Sequence, residues 1–417
     1  MGRSPVLASI VATLLMQVAI DQSVGEMPQV AVITTAYYHN SHADMLASRI
    51  LKGYTLDGKG EFPKLKLASL YTDQVPENDI SRKLAEKYGV PIYDTVGDAL
   101  TKKTGKLAVD GVLLIAEHGQ YPESETGQIV YPKRRLFEQI LKAFDESKRV
   151  VPVFFDKHLA DNWTDAKWIY DEAAKRKIPL MAGSSLPGTW RYPAAEIDRE
   201  RPLQEIVALS FHRLDTYGFH ALEIVQCLAE QRRGGETGVK QVRCLTGDAA
   251  WKAFADKTCD RKLLDQCFAV LKERPLPKDK RPEELCPKPD LFIIDYQDGF
   301  RASVLTWSEP HVVEWSAAWR YSGQEKTDAT LFWTQEWRPF MHFAYQMQGV
   351  ERMLHNQKPA WPAERTLLST GMLDALLISR SDRGKVIDTP ELAISYPPSW
   401  QWQQPPPPPK NRPIEGE

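Results

Sequence analysis

The sequence predicts an α/β chain in two unlike halves: an N-terminal doubly wound parallel sheet, then an α+β domain with an open, mainly antiparallel sheet. Three observations predict it. Short, wholly apolar runs alternate with stretches of helical spacing as far as residue 182, the pattern of parallel strands joined by crossover helices. From about Arg191 that alternation stops and strands follow one another. A length of 417 residues also exceeds what one hydrophobic core usually organises.

Residues 29–35 (QVAVITT) read as a buried strand, and residues 41–52 as a helix with Ala43, Leu46, Ala47 and Ile50 on one side. A strand at 65–71, a helix at 80–88 closing before Gly89, a short strand at 91–93 and a short helix at 94–101 follow. The apolar run 111–116 (GVLLIA) precedes a long helix at 133–147; a strand at 150–155, a helix at 164–175 and a sixth strand at 179–182 complete the half. In such sheets ligands bind beyond the carboxyl ends of the strands, where strand order reverses. The loops after Thr35, Tyr71, Ala116, Phe155 and Ala182 therefore carry the candidate site.

In the second half an apolar helix near 214–230 is followed by strands at 241–245, 290–296, 301–307 and 329–333, and by helices at 339–354 and 362–380. Alternation across 301–306 fits a half-exposed antiparallel strand. Residues 248–289 read as a charged helical insertion. The sequence thus divides into a Rossmann-like domain (28–190), an α+β substrate or oligomerisation domain (191–396) and two distinct ends. At the first end, residues 1–26 carry Arg3, an apolar run over 6–20, and the small Ser23 and Gly25. That is the layout of a secretory signal peptide, so the protein is expected to be exported, and cytoplasmic if the segment is not cleaved. At the other, five consecutive prolines in 397–417 predict a disordered or surface-draped tail.

The formal charge, 53 basic minus 55 acidic residues, is −2, which argues against a nucleic-acid partner. No span is expected in the mature chain. Cys227, Cys244, Cys259, Cys267 and Cys286 contain no C-x-x-C pair, which speaks against a structural zinc site. One or two disulfides would staple them in an exported protein; in the cytosol they would be buried apolar residues. Lys133-Arg134-Arg135 reads as a solvated helix face.

Several landmarks occur in order: Ala85 to Val90 (AEKYGV), Val109 to Val112 (VDGV), Asp156-Lys157-His158-Leu159-Ala160, Gly218-Phe219-His220 with Glu223, and a closing helix over 362–380. In this order and spacing the chain resembles the glucose-fructose oxidoreductase and inositol dehydrogenase family from about Val30 to Tyr396. The resemblance implies NAD or NADP in the first domain and oxidation or reduction of a carbohydrate or cyclitol against the second sheet. It implies that Lys157, beside Asp156, bonds the nicotinamide ribose and the reacting hydroxyl, and that His220 exchanges the proton. Thr34, Ala36, Tyr37, Asp73, Glu117 and His118 fall where that family holds its cofactor. It further implies a homo-oligomer, paired through the outer face of the second sheet.

The motif itself departs from the pattern. A dinucleotide fold uses G-x-G-x-x-G so that backbone can approach the pyrophosphate, and the matching residues are Thr34, Ala36 and His39. His39, His42, His118 and His158 fall on the loops at the expected switch point, and His220 would face them. Imidazoles and carboxylates converging on a crevice serve either as divalent-metal ligands or as an acid/base relay. Three readings follow: an NAD(P)-dependent oxidoreductase; an exported relative without a nucleotide, whose histidine-lined crevice does metal-assisted or acid/base lyase or hydrolase chemistry on sugars; and a non-catalytic carbohydrate-binding protein.

Overall fold

The computed structural model describes residues 27–308 and 310–409; the signal-peptide reading lies outside the described residues. In the first half β1 (Gln29–Thr34), α1 (His42–Lys52), β2 (Lys66–Thr72), α2 (Ser81–Tyr88), α3 (Val96–Thr101), β3 (Gly111–Ile115), α4 (Lys133–Ser147), β4 (Val153–Asp156), α5 (Trp163–Lys175) and β5 (Leu180–Gly183) alternate. They form one five-stranded sheet in the order β2-β1-β3-β4-β5 with all pairings parallel. Strand order reverses between β1 and β3, so the loops after these two strands meet at the switch point.

Apolar side chains cover both faces of this sheet. On one face Phe137, Ile140 and Phe144 of α4 and Ile169 of α5 pack against Val112, Leu114 and Phe155. On the other, α1 supplies Leu46 and Ala47, and Phe343, Met347, Val350 and Leu354 come from a helix far along the chain. That second-half helix lies so close that a Cβ on Gly111 would meet Leu354 Cδ2 at 2.0 Å. The strand expected at 91–93 is reduced to a single bridge, Leu70 with Ile92, because Pro91 has no N–H to continue a ladder.

The second half contains β6 (Trp190–Tyr192), β7 (Leu203–Phe211), α6 (Phe219–Ala229), β8 (Val239–Thr246), α7 (Asp248–Ala255), α8 (Arg261–Ala269), α9 (Pro282–Leu285), β9 (Asp290–Tyr296), β10 (Arg301–Trp307), β11 (Trp315–Tyr321), β12 (Thr327–Trp333), α10 (Met341–Asn356), α11 (Ala363–Ser381) and β13 (Ile387–Asp388). Its eight-stranded sheet runs β13-β8-β9-β10-β7-β11-β12-β6, antiparallel except where β10 pairs with β7. The central β7, β11 and the short edge strands β6 and β13 were not expected from the sequence. A π-helical turn at Leu214–Gly218 runs directly into α6, so the helix expected near 214–230 is present with a widened first turn.

Strand β10 is not half-exposed. Six of its seven residues are buried, because the charged insertion folds back as α7 and α8 over the sheet's outer face. There Cys267 Sγ meets Val207 O at 3.2 Å and Ser316 Oγ donates to Cys267 O at 2.9 Å. The face through which the resemblance would pair two subunits is therefore covered by the chain's own α8. All five cysteines are free and buried, packed as small apolar side chains rather than as disulfide staples. Residues 397–409, the described part of the tail, are laid against the body. Trp402 Nε1 donates to Thr189 O and Trp190 Nε1 to Pro406 O, both at 2.8 Å. Among the described residues no helix is long and apolar enough to cross a membrane.

Candidate active site at the switch point

Strand β4 ends at Asp156, and the next residue, Lys157, adopts φ +60° with its N–H on Gly183 O at 3.1 Å. This bend directs Lys157 toward Glu117, which follows β3: Lys157 Nζ lies 3.4 Å from Glu117 Oε2. The other carboxylate oxygen accepts from Lys133 Nζ at 2.7 Å. Lys133 begins α4 and also donates to Asp156 O and His158 O at 3.1 and 2.8 Å, with His158 Nδ1 at 3.1 Å. Lys133 is 1% exposed, so the solvated-face reading fails for it; a buried cation needs these partners. Although burial alone would raise the Glu117 pKa, Lys133, Lys157 and His158 together hold that carboxyl well below its ordinary range. Burial, then Lys133, holds His158 down.

Beside this cluster His42, at the start of α1, sets Nδ1 2.6 Å from Asp156 Oδ2. Its ring meets those of His118 and Phe343 edge-on at 5.1 and 5.0 Å. Burial lowers the His118 pKa to about 3, and its Nε2 is buried without a partner among the described residues. His220, in the first turn of α6, places Nδ1 2.6 Å from Ser184 Oγ. Burial, then the charge of Lys157 and of His42, holds His220 far below its usual value, with Glu117 opposing. It is therefore a neutral imidazole that senses the Lys157–Glu117 cluster. Glu223, one turn on, accepts from Ser184 N at 3.2 Å, and burial raises it to about 7.

The residues expected to hold a cofactor are turned inward. Thr34 Oγ1 donates to Ile115 O at 2.8 Å; Ala36 is buried, and Tyr37 hydroxyl pairs with Ser48 Oγ at 2.8 Å. The N-terminal turn of α1 carries its own anion. Asp44 is fully buried and accepts from Asn40 N at 3.0 Å, Ser48 Oγ at 2.5 Å and Arg338 Nη1 at 2.6 Å. Asp73 is likewise engaged: both its oxygens take Arg135 at 2.7 Å, and Tyr71 and Tyr121 hydroxyls donate at 2.8 and 2.7 Å. Tyr121 belongs to the loop after β3, which is stitched to β2's loop by Gln120 N to Gln74 Oε1 at 2.9 Å.

The metal alternative has no built site: among the described residues no group of three His, Cys, Asp or Glu side chains is arranged to hold an ion. His158 faces the Lys133 ammonium and His39 turns to Asp44 at 3.8 Å with half its side chain exposed, so the four histidines do not converge. Sequence reasoning missed Lys133, Ser184, Asp44 and Arg338. Only the polar Ser184 and Ser185 directly after an apolar strand were a usable signal.

The sequence matches no family model and no curated protein. Among solved structures it is similar to GenD2 from gentamicin A biosynthesis in complex with NAD, at TM-score 0.57 and 14% identity over 93% of this chain and 99% of that one. Apo scyllo-inositol dehydrogenase from Lactobacillus casei matches at TM-score 0.54 and 12% identity, covering 87% and 98%. A myo-inositol dehydrogenase from Corynebacterium glutamicum matches at 0.53 and 10%, covering 87% and 99%. These likenesses establish the fold: a parallel, Rossmann-like sheet followed by a mixed, mainly antiparallel one, as in inositol dehydrogenases and related NAD-binding oxidoreductases. The residues present here do not fit a dinucleotide held at that switch point. At the start of α1 Asn40 N is already taken by the Asp44 carboxylate and Asp44 N by Ser41 Oγ, which leaves fewer N–H groups for a pyrophosphate, and a ribose at Asp73 would have to displace three donors.

Proposed function

We propose that this chain is an enzyme acting on a carbohydrate or cyclitol in the crevice between its two sheets, by acid/base lyase or hydrolase chemistry that uses no dinucleotide. One observation carries the reading: the ionisable groups Glu117, Lys133, Lys157, His42 and His220 cluster at the switch point, while Asp44 with Arg338, and Asp73 with its donors, fill the places a dinucleotide needs.

In this reading His220 is the proton acceptor. Ser184 fixes Nδ1, which leaves Nε2 to take a proton from the substrate. Lys157 stabilises the developing negative charge, and Glu117 with Lys133 holds Lys157 in position. The hydrogen-bonded His42–Asp156 pair returns a proton to the leaving oxygen, so acid and base are separate groups. Export through residues 1–26 belongs to the same reading, since nucleotide cofactors are scarce outside the cell. The second reading is an NAD(P)-dependent oxidoreductase using Lys157 and His220. It is favoured by the likeness of nearly the whole chain to GenD2 from gentamicin A biosynthesis, solved in complex with NAD.

The test is a fluorescence titration of the purified chain with NAD⁺, NADH, NADP⁺ and NADPH, run beside turnover assays on a panel of carbohydrates and cyclitols. We expect no saturation by any nucleotide at micromolar concentration. His220→Ala and Lys157→Ala should each lower turnover by about 10²-fold or more, beyond what the loss of stability at these buried positions explains. Micromolar binding with nucleotide-dependent turnover would establish the second reading. Full turnover in His220→Ala would remove acid/base catalysis by that residue.

A further inference from the structure

One cavity among the described residues is lined by none of Glu117, Lys157 or His220. It holds about 510 Å³ between the loop after β5, helix α10, the start of α11 and the tail segment 399–406. That volume suits a ligand of one or two sugar rings. The tail forms one wall and is fastened on either side: Gln231 Nε2 donates to Trp400 O at 2.9 Å, Arg191 N to Gln404 Oε1 at 3.1 Å, and Tyr345 hydroxyl to Pro406 O at 3.1 Å.

Three features of the lining define what it takes. First, it holds Arg352, Lys358 and Arg365 and no aspartate, glutamate or histidine. Arg365 is spent on Glu230, its Nε donating to Oε2 at 3.0 Å. Arg352 and Lys358 have no carboxylate partner among the described residues, so two positive charges remain uncompensated at the mouth. Second, Ser185 and Gln346 line the cavity, are 3% and 2% exposed, and leave Ser185 Oγ and Gln346 Oε1 without a hydrogen bond among the described residues. Buried polar atoms usually have a hydrogen-bond partner, so both atoms are available to a ligand in the cavity. Third, Trp361, Trp400 and Trp402 supply apolar walls of the kind that sugar rings cover well.

We propose that this cavity is a second binding site, for an anionic saccharide of one or two rings bearing a carboxylate or a sulfate. The acid group sits between Arg352 and Lys358, ring hydroxyls reach Ser185 and Gln346, and the tail closes over the ligand. The site shares Ser184 with the crevice, since Ser184 lines the cavity and contacts His220. It does not depend on which reaction the crevice performs.

The experiment is calorimetric titration of the full chain with glucuronate, glucose 6-sulfate, glucose and inorganic sulfate, repeated on an Arg352→Ala/Lys358→Ala double variant. Both substituted residues are exposed, so the fold should survive. A Ser185→Ala variant probes the buried floor. The expected result is saturable binding of glucuronate or glucose 6-sulfate, weakened about tenfold or more in the double variant and less in Ser185→Ala, with glucose and sulfate alone binding far more weakly. Whichever acid sugar binds more tightly identifies the acid group. Equal affinity for neutral glucose, equal affinity for inorganic sulfate, unchanged affinity in the double variant, or no binding by either acid sugar at millimolar concentration would each overturn the proposal.

Discussion

At the scale of single residues, Glu117 determines the character of the crevice. Its two oxygens face two buried lysines, and removing its charge strands the Lys133 ammonium. Glu117→Gln should cost about 3–5 kcal/mol, as breaking a buried pair from one side does, measured by denaturant unfolding. Arg135→Ala, which breaks the half-exposed pair with Asp73, should cost no more than about 1 kcal/mol. A Glu117→Gln protein as stable as the parent would show that Lys133 finds other compensation. The sequence pointed to Glu117, His118 and Lys157 because each follows an apolar strand. It could not point to Lys133, whose burial depends on a carboxylate 16 residues earlier. Locally, Lys133-Arg134-Arg135 has the composition of any solvated helix start.

At the scale of elements, β5 is the junction where both candidate sites meet. Gly183 adopts φ +129°, and a Cβ there would lie 2.6 Å from Glu223 Oε2 and 2.8 Å from Thr366 Oγ1. Its carbonyl accepts from Lys157 N at 3.1 Å and from Gln346 Nε2 at 2.8 Å. Gly183→Ala should therefore cost about 1–3 kcal/mol from backbone strain and crowding. It should lower crevice turnover beyond what that destabilisation explains, because Lys157 and Glu223 both shift. Parallel melting and turnover measurements check this, and an alanine variant with normal turnover would separate β5 from the chemistry. The elements of the first half were legible because strands buried on both faces read as unbroken apolar runs. Strands β7 and β11 were not: LQEIVALSF passes into the next turn without glycine or proline, and WSAAWRY mixes small and aromatic residues without a period. Covering α8 also buries the outward residues of β10, which local alternation cannot reveal.

At the scale of the whole molecule, the fold keeps several imidazoles neutral inside it, and that makes stability depend on pH in a definite direction. Burial lowers His118 and His342 to about 3, and His158 and His220 are also held down, against an ordinary value of 6.5. Between those limits the unfolded chain binds protons that the folded chain does not, so stability falls as pH drops below about 6.5 and continues to fall toward 3. Glu205 and Glu223, raised by burial to about 7 from 4.5, act oppositely: they favour the folded state below 4.5, and that contribution is lost as pH rises to about 7. These four histidines oppose the two carboxyls raised as far as about 7, with smaller upward shifts from burial at Glu336 and Asp374, so the melting temperature should decline from pH 7 to pH 5. His342 lies outside the proposed proton path, packed beside Phe343 with Nδ1 unpartnered among the described residues. His342→Gln should thus flatten the decline while moving the crevice pH–rate profile only slightly, since His342 is the weakest of the influences on His220. A melting temperature that rises on acidification, or a His342→Gln slope equal to the parent's, would mean that the carboxyls govern the balance and that His342 is protonated within the fold.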